Sequence, residues 1–274
     1  PVFCDVEPYS QNVTAETIIP HITAKTKAIM VVHYGGKPVD MNPILALGFP
    51  VIEDAAHAVA SSYQGKACGT LGDIGIYSFD SIKNLAMGEG GGLVSKNQAN
   101  LKMARELRYC GIGKSGFQQA NTSSKTRWWE YDIKDTFIKM LPTDLEASIG
   151  LMQLEKLHIN QSIRKIIWDT YQQELEKVSW ITRPVEAGEQ ETHSYFTYFI
   201  QVPKRDELAH YLLAHNIYTT LRYHPLHLNN IYKSTKKLPI SELLNEVGLN
   251  IPLHPRLQES EVAWIIDKLK KFNI

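Results

Sequence analysis

Short apolar runs rich in β-branched residues recur through the first hundred positions of this chain, separated by polar stretches of helical character. That alternation is the pattern of parallel strands joined by crossover helices, and it predicts an α/β fold with a mainly parallel sheet. Strands are expected at residues 28–33, 50–53, 74–79 and 91–95. Between the first two, residues 38–48 read as a helix that Asp40 caps, carrying Ile44, Leu45 and Leu47, with Gly48 and Pro50 ending it. From Thr143 the period changes. Thr143-Asp144-Leu145-Glu146 has the form of a capping box, and Ile149, Met152, Leu154, Leu157, Ile163 and Ile167 keep helical spacing towards Tyr171. Such a length predicts a helix that bridges two domains. Past Trp180 come an alternating run at 195–202, a helical run at 206–215, a strand-like run at 217–223 and an amphipathic helix at 259–272. The expected division is a large domain over residues 1–155, followed by the bridging helix and a small C-terminal α+β domain over 156–274. Residues 111–125, rich in Gly, Gln, Ser and Asn, read as the most mobile loop.

Charge narrows the partners. Lys+Arg and Asp+Glu both number 29, so no broad basic field is available to hold nucleic acid or anionic lipid. No apolar run approaches the roughly 18 residues that span a bilayer, and the first residues lack the basic-then-apolar plan of a signal peptide. A cytoplasmic protein without nucleic-acid or membrane partners is expected. Three cysteines, Cys4, Cys68 and Cys110, are too few and too scattered for a disulfide framework or a zinc knuckle.

The chemistry concentrates between Val51 and Gly92. There an acidic pair, Glu53 and Asp54, ends a strand, and a single lysine, Lys83, lies between Ser78-Phe79 and Gly88-Glu89-Gly90-Gly91-Gly92. Ligands of open α/β sheets sit at the carboxyl ends of strands, where Asp54 is expected. A carboxylate there can keep a pyridine nitrogen protonated, which makes the ring an electron sink, and His57 can lie flat over such a ring. Asp54 reads equally well as the N-cap of a helix over residues 55–60, and His57 as a packing histidine. Lys83 is a solvated loop lysine or, if partly desolvated, an amine able to attack an aldehyde. The hydroxyl of Ser78 can donate to a phosphate oxygen, and the glycine run lets backbone approach a ligand.

These residues resemble the DegT/DnrJ/EryC1/StrS family of pyridoxal-phosphate sugar aminotransferases. The similarity is carried by Val51-Ile52-Glu53-Asp54-Ala55-Ala56-His57-Ala58, Gly69-Thr70-Leu71-Gly72-Asp73-Ile74-Gly75, Ser78-Phe79-Asp80-Ser81-Ile82-Lys83-Asn84 and Gly88-Glu89-Gly90-Gly91. It continues through Val32-His33-Tyr34-Gly35-Gly36, Asp144 to Gly150 and Tyr223-His224-Pro225-Leu226-His227. The resemblance implies an aspartate-aminotransferase-like fold (PLP fold type I) and a homodimer with sites at the interface. It implies pyridoxal 5'-phosphate as cofactor, a nucleotide-linked keto sugar as acceptor and an amino acid, usually glutamate, as donor. Lys83 falls on the cofactor-bearing lysine, Asp54 on the partner of the pyridine nitrogen, His57 on the ring-stacking residue and Ser78 on a phosphate ligand. Family members with histidine at the lysine position dehydrate instead, so Lys83 favours amino transfer. The sequences around Asp54 and Lys83 are most similar to relatives that aminate position 4 of a 4-keto sugar.

Two departures set further expectations. The similarity starts at a strand well inside the usual large domain, and the Gly-Thr turn and helix start that grip the cofactor phosphate in relatives are not among these 274 residues. Weak cofactor binding by these residues alone is therefore expected, and a non-catalytic relative serving as a regulatory or assembly partner is the competing class. Leu141 stands where many relatives carry an asparagine that reaches the neighbouring subunit's phosphate, with Lys139 close by. Four residues are candidates for substrate contact: His33, Tyr34, Arg222 and His224. Arg222 reads as a clamp for a carboxylate or diphosphate, or as a surface arginine; Tyr34 faces the sugar or only packs. His224, His227 and His254 have weak spacing for a metal, and none is expected. Trp128, Trp129, Tyr131 and Tyr109 line a nucleotide groove or form a satellite core.

Overall fold

The β-branched runs do pair as a sheet. In a computed structural model describing residues 1–113, 116–122, 127–131 and 133–272, the first part of the chain runs α1 (Ala15–Ile18), β1 (Ile29–Val32), α2 (Met41–Leu45), β2 (Val51–Asp54), β3 (Ser62–Tyr63), β4 (Lys66–Ala67), β5 (Ile74–Ser78), β6 (Gly91–Ser95) and α3 (Gln98–Leu107). Its sheet has the order β1-β2-β5-β6. β1, β2 and β5 are parallel, with Val32 beside Asp54 and Asp54 beside Ile76. Only the β1-to-β2 connection carries the expected helix. The link from β2 to β5 is instead a β3-β4 hairpin, and the return from β5 to β6 holds no helix. A parallel neighbour needs a long crossover, so β6 runs antiparallel, with Ser78 opposite Gly91. The loop that makes this return carries Lys83.

Alternation along β2 separates the two acids. Val51 and Glu53 are buried while Ile52 and Asp54 face the other side, as the two-residue period of a strand requires. Val31, Met41, Ile44 and Val51 are wholly buried in the first core. Asp40 precedes α2 but does not cap it, because its carboxylate accepts the Tyr63 hydroxyl at 2.5 Å. Residues 55–60 form turns and not the helix that Asp54 was expected to cap as an alternative to its site role.

The second part runs α4 (Gly116–Thr122), α5 (Asp144–Glu174), β7 (Glu191–Thr192), β8 (Tyr198–Gln201), α6 (Arg205–Ala214), α7 (Pro239–Val247), β9 (Gly248–Ile251) and α8 (Glu259–Lys271). The segment expected as a mobile loop contains α4, and its positions 114, 115 and 123–125 lie outside the described residues. Thr143 caps α5 through the predicted box: its hydroxyl accepts the Glu146 N–H, and Glu146 accepts the Thr143 N–H at 2.7 Å. Only the second half of α5 is buried, through Arg164, Ile167, Trp168 and Tyr171. These pack with β8, β9 and α8 in a second core that includes Tyr198, Ile200, Leu208 and Leu269. The strand expected at 217–223 is reduced to one bridge, Thr220 to Asn250, on the edge of β9 that β8 leaves free, because the chain turns away from the sheet at Leu221. No helix among the described residues is long and apolar enough to cross a membrane.

Candidate active site

A cavity of about 480 Å³ opens at the carboxyl end of β2, where a parallel sheet presents its ligands. Asp54, His57, Lys83, Tyr34, Arg222 and His224 all line it. Asp54 Oδ1 accepts the Ala56 N–H at 2.9 Å, which turns the chain so that His57 faces the same space. His57 Nδ1 accepts the Gly35 N–H at 3.3 Å, leaving Nε2 as the protonated nitrogen, 3.4 Å from the Tyr223 hydroxyl. Its imidazole stacks on Phe196 with centroids 4.1 Å apart and planes 18° from parallel. Burial, together with the charges of Lys83 and Arg222, pushes His57 down to about 3, so the ring is neutral at physiological pH.

Lys83 arrives on the β5-to-β6 loop, whose turn is held by the Lys83 N–H donating to Asp80 O at 2.9 Å. Burial lowers its pKa; Asp54 and Asp80 oppose the shift and Arg222 adds to it. A lysine whose proton is loosened in this way is a better nucleophile and proton carrier than a solvated one. The Tyr34 hydroxyl donates to the Arg222 carbonyl, and burial pushes that phenol well above its ordinary range. His224 is tethered by Nδ1 to Asn245 Oδ1 at 3.3 Å.

Two candidates stand elsewhere. His33, expected near the substrate, is wholly buried beneath the site. Its Nδ1 accepts the Val39 N–H at 3.0 Å and its Nε2 meets Glu53 Oε2 at 2.9 Å. Inward orientation at the end of β1 explains the difference, because the residue continues the buried side of the strand. Ser78 ends β5 outside the cavity lining, with its oxygen 3.4 Å from the Asp80 N–H. Residues 195–197, expected within the strand at 195–202, lie ahead of β8 instead and with residues 193 and 194 bring Ser194 and Phe196 against the site, while Tyr223 joins the lining.

Gly36 makes that approach possible. It adopts φ +95°, and a Cβ there would collide with Ser194 Oγ and stand 3.0 Å from the His57 carbonyl oxygen. Positive φ and backbone contact both resist a side chain. Gly36→Ala is expected to lower stability by about 2–4 kcal/mol in urea melts and to displace His57.

Acid will act on the same region. Burial and nearby Lys37 push His193 down to about 3, like His57. Both histidines are neutral in the folded chain and bind protons near pH 6.5 when unfolded. The unfolded state therefore holds more protons between about pH 6.5 and pH 3, and stability must fall as pH drops through that window. Thermal midpoints measured from pH 7.5 to 4.5 should decline, and His193→Asn should flatten the slope.

A lysine loop, a strand-end carboxylate and a flat imidazole thus meet in one cavity. The family model for the DegT/DnrJ/EryC1/StrS aminotransferase family matches residues 1–270, and the chain belongs to that family of sugar-nucleotide aminotransferases. It is 37% identical to the dTDP-4-dehydro-2,3,6-trideoxy-D-glucose 4-aminotransferase of Saccharopolyspora spinosa over 278 residues, covering 99% of this chain and 72% of that protein. The crystal structure of the aminotransferase TlmJ from Streptoalloteichus hindustanus superposes with a TM-score of 0.91 at 37% identity, over 98% of this chain and 72% of that one. A Streptococcus pneumoniae chain solved in its PLP form gives a TM-score of 0.87 at 26% identity, over 98% and 74% of the two chains.

The donor set fits that cofactor. Asp54 would offer a carboxylate to a pyridine nitrogen, neutral His57 a flat face and Lys83 an amine to an aldehyde, and all three line one cavity.

Proposed function

We propose that the chain transfers an amino group from an amino acid, glutamate being favoured, to a nucleotide-linked 4-keto-6-deoxy sugar, using pyridoxal 5'-phosphate. The observation that carries the reading is the convergence of Asp54, His57 and Lys83 on one cavity. When bound, the cofactor supplies a ring that draws off electrons as the donor Cα–H bond breaks. Asp54 holds the proton on the pyridine nitrogen by charge complementarity. His57, neutral and stacked on Phe196, packs against the ring without adding a competing positive charge. Lys83 Nζ would hold the cofactor's aldehyde carbon and, as a free amine, would carry the proton from the donor Cα to that carbon, with the reverse transfer serving the sugar ketone. Arg222, beside Lys83 on the same cavity, clamps the donor carboxylate with its planar fork. The 4-aminotransferase activity of the Saccharopolyspora spinosa relative supports amination at position 4.

We assign the active form to a cytoplasmic homodimer with the sites at its interface. Support comes from the first half of α5, where Leu145, Ile149 and Met152 are exposed beside Leu141; apolar side chains clustered on one surface mark interaction sites. Large domain 1–155 and small domain 156–274 remain the division we favour, with α5 crossing it.

Mass spectrometry of the chain incubated with pyridoxal 5'-phosphate, glutamate and a dTDP-4-keto-6-deoxy sugar tests the activity. Amino sugar nucleotide and 2-oxoglutarate should form in equal amounts. A chain that binds the cofactor yet converts neither partner would instead be the non-catalytic relative.

A further inference from the structure

The segment from His193 to Thr197 threads between the two cores and is fastened on both sides. Ser194 N–H donates to Ser61 Oγ at 3.1 Å, Ser194 Oγ donates to the His57 carbonyl at 2.5 Å, and Phe196 N–H donates to Gly35 O at 3.0 Å. From α5, Arg164 Nη1 donates to the carbonyls of Tyr195 at 3.2 Å and Leu253 at 2.9 Å. Asn84, the residue after Lys83, donates from its side-chain amide to Ser194 O at 2.6 Å. The strap is thus tied to the lysine loop itself.

Phe196 projects from this strap and is only 6% exposed. Its ring stacks on His57, and Lys83 Nζ lies over it at 5.1 Å from the centroid, with Arg222 Cζ at 5.5 Å. Both distances fall inside the roughly 6 Å over which an aromatic face attracts a cation. Two like charges on one half-buried wall repel, and the electron-rich face offsets that repulsion.

We propose that Phe196 is a positioning residue whose π face holds the Lys83 ammonium beside Arg222 and fixes the plane of His57. The inference takes Lys83 as the reacting amine, as proposed above. The ring's face stabilises the charged lysine, whereas its bulk excludes water and favours the neutral form. Removing the face while keeping the bulk therefore has a defined sign: Lys83 must lose its proton more readily.

The test uses the full chain without cofactor or substrate, so its outcome is independent of the assigned activity. Reductive methylation with a ¹³C label makes each lysine visible by NMR, and the Lys83 resonance is the one lost in Lys83→Arg. Phe196→Leu should lower the Lys83 titration midpoint by about half a pH unit, and Phe196→Tyr should restore it. Replacing Phe196 with successively fluorinated phenylalanines drains the π face at nearly constant size and should lower the midpoint stepwise, even if the leucine variant fails to fold. An unchanged midpoint across the fluorinated series overturns the proposal and leaves Phe196 as a packing residue.

Discussion

Replacing Lys83 with arginine will abolish amino transfer and leave the fold standing. Arginine keeps the length and positive charge of the side chain but does not give up its proton at any pH a protein survives. It can neither attack an aldehyde nor accept a proton from the donor carbon. Proton transfer by a positioned group alone is worth about 10²–10⁴ in rate, so kcat should fall at least ~10³-fold in a coupled assay for 2-oxoglutarate. The yellow absorption band of the bound cofactor should vanish as well. Stability should barely change, because Lys83 makes no ion pair within 4 Å among the described residues and its desolvation is itself unfavourable to the charged amine. Transfer retained within tenfold in the arginine variant would remove Lys83 from the chemistry.

The residues legible in the sequence were those whose neighbours along the chain define their surroundings. Asp54 ends a strand that β-branched residues announce, His57 follows three positions later on the same turn, and Lys83 lies in a loop that two strands bracket. Each can be read within a window of a few residues. Thr143 and Glu146 announce α5 for the same reason, since both halves of the capping box lie in one turn. Phe196 and Tyr223 could not be read this way. They stack on His57 from more than a hundred positions away, and their local pattern looks like ordinary strand. His33 misled in the opposite direction. A histidine at a strand end beside a Gly-Gly turn looks functional, but strand alternation turns it inward to Glu53. The run at 217–223 has strand composition, but only Thr220 pairs with the free edge of β9 before the chain leaves the sheet at Leu221, and where a chain turns away is a property of the fold. The β3-β4 hairpin and β7 are two-residue strands, too short for any periodicity to register.

The His33–Glu53 pair carries the second large effect. Glu53 is wholly buried, and its carboxylate accepts the Gly69 N–H at 2.7 Å, the Gly72 N–H at 2.6 Å and His33 Nε2 at 2.9 Å. Burial by itself would raise the carboxyl pKa; the bonds from His33, Gly72 and Gly69 outweigh it and hold the group below its usual range. Glu53→Ala would strand three buried donors with no acceptor, each unsatisfied group costing about 1–3 kcal/mol. A loss of about 3–5 kcal/mol follows, against a total stability of about 5–15 kcal/mol for a typical domain. Glu53→Gln should cost less, since its amide oxygen still accepts, although its NH₂ must then face a donor. Because the folded carboxyl is depressed, its contribution is complete above the unfolded value near pH 4.3 and disappears as pH falls through the folded value. Urea melts should therefore keep wild type and Glu53→Gln apart from pH 7 down to about pH 4.3, and the gap should close only as the pH is lowered further towards the folded value. The turn that Glu53 gathers also bears on the chemistry. Gly69 packs so closely on Ala55 that a Cβ there would stand 3.2 Å from the alanine methyl, and Ala55 follows Asp54 directly. Loosening the turn should shift the Asp54 carboxylate and weaken cofactor binding in Glu53→Gln even at temperatures where that variant is fully folded, a loss that equilibrium titration with pyridoxal 5'-phosphate would measure.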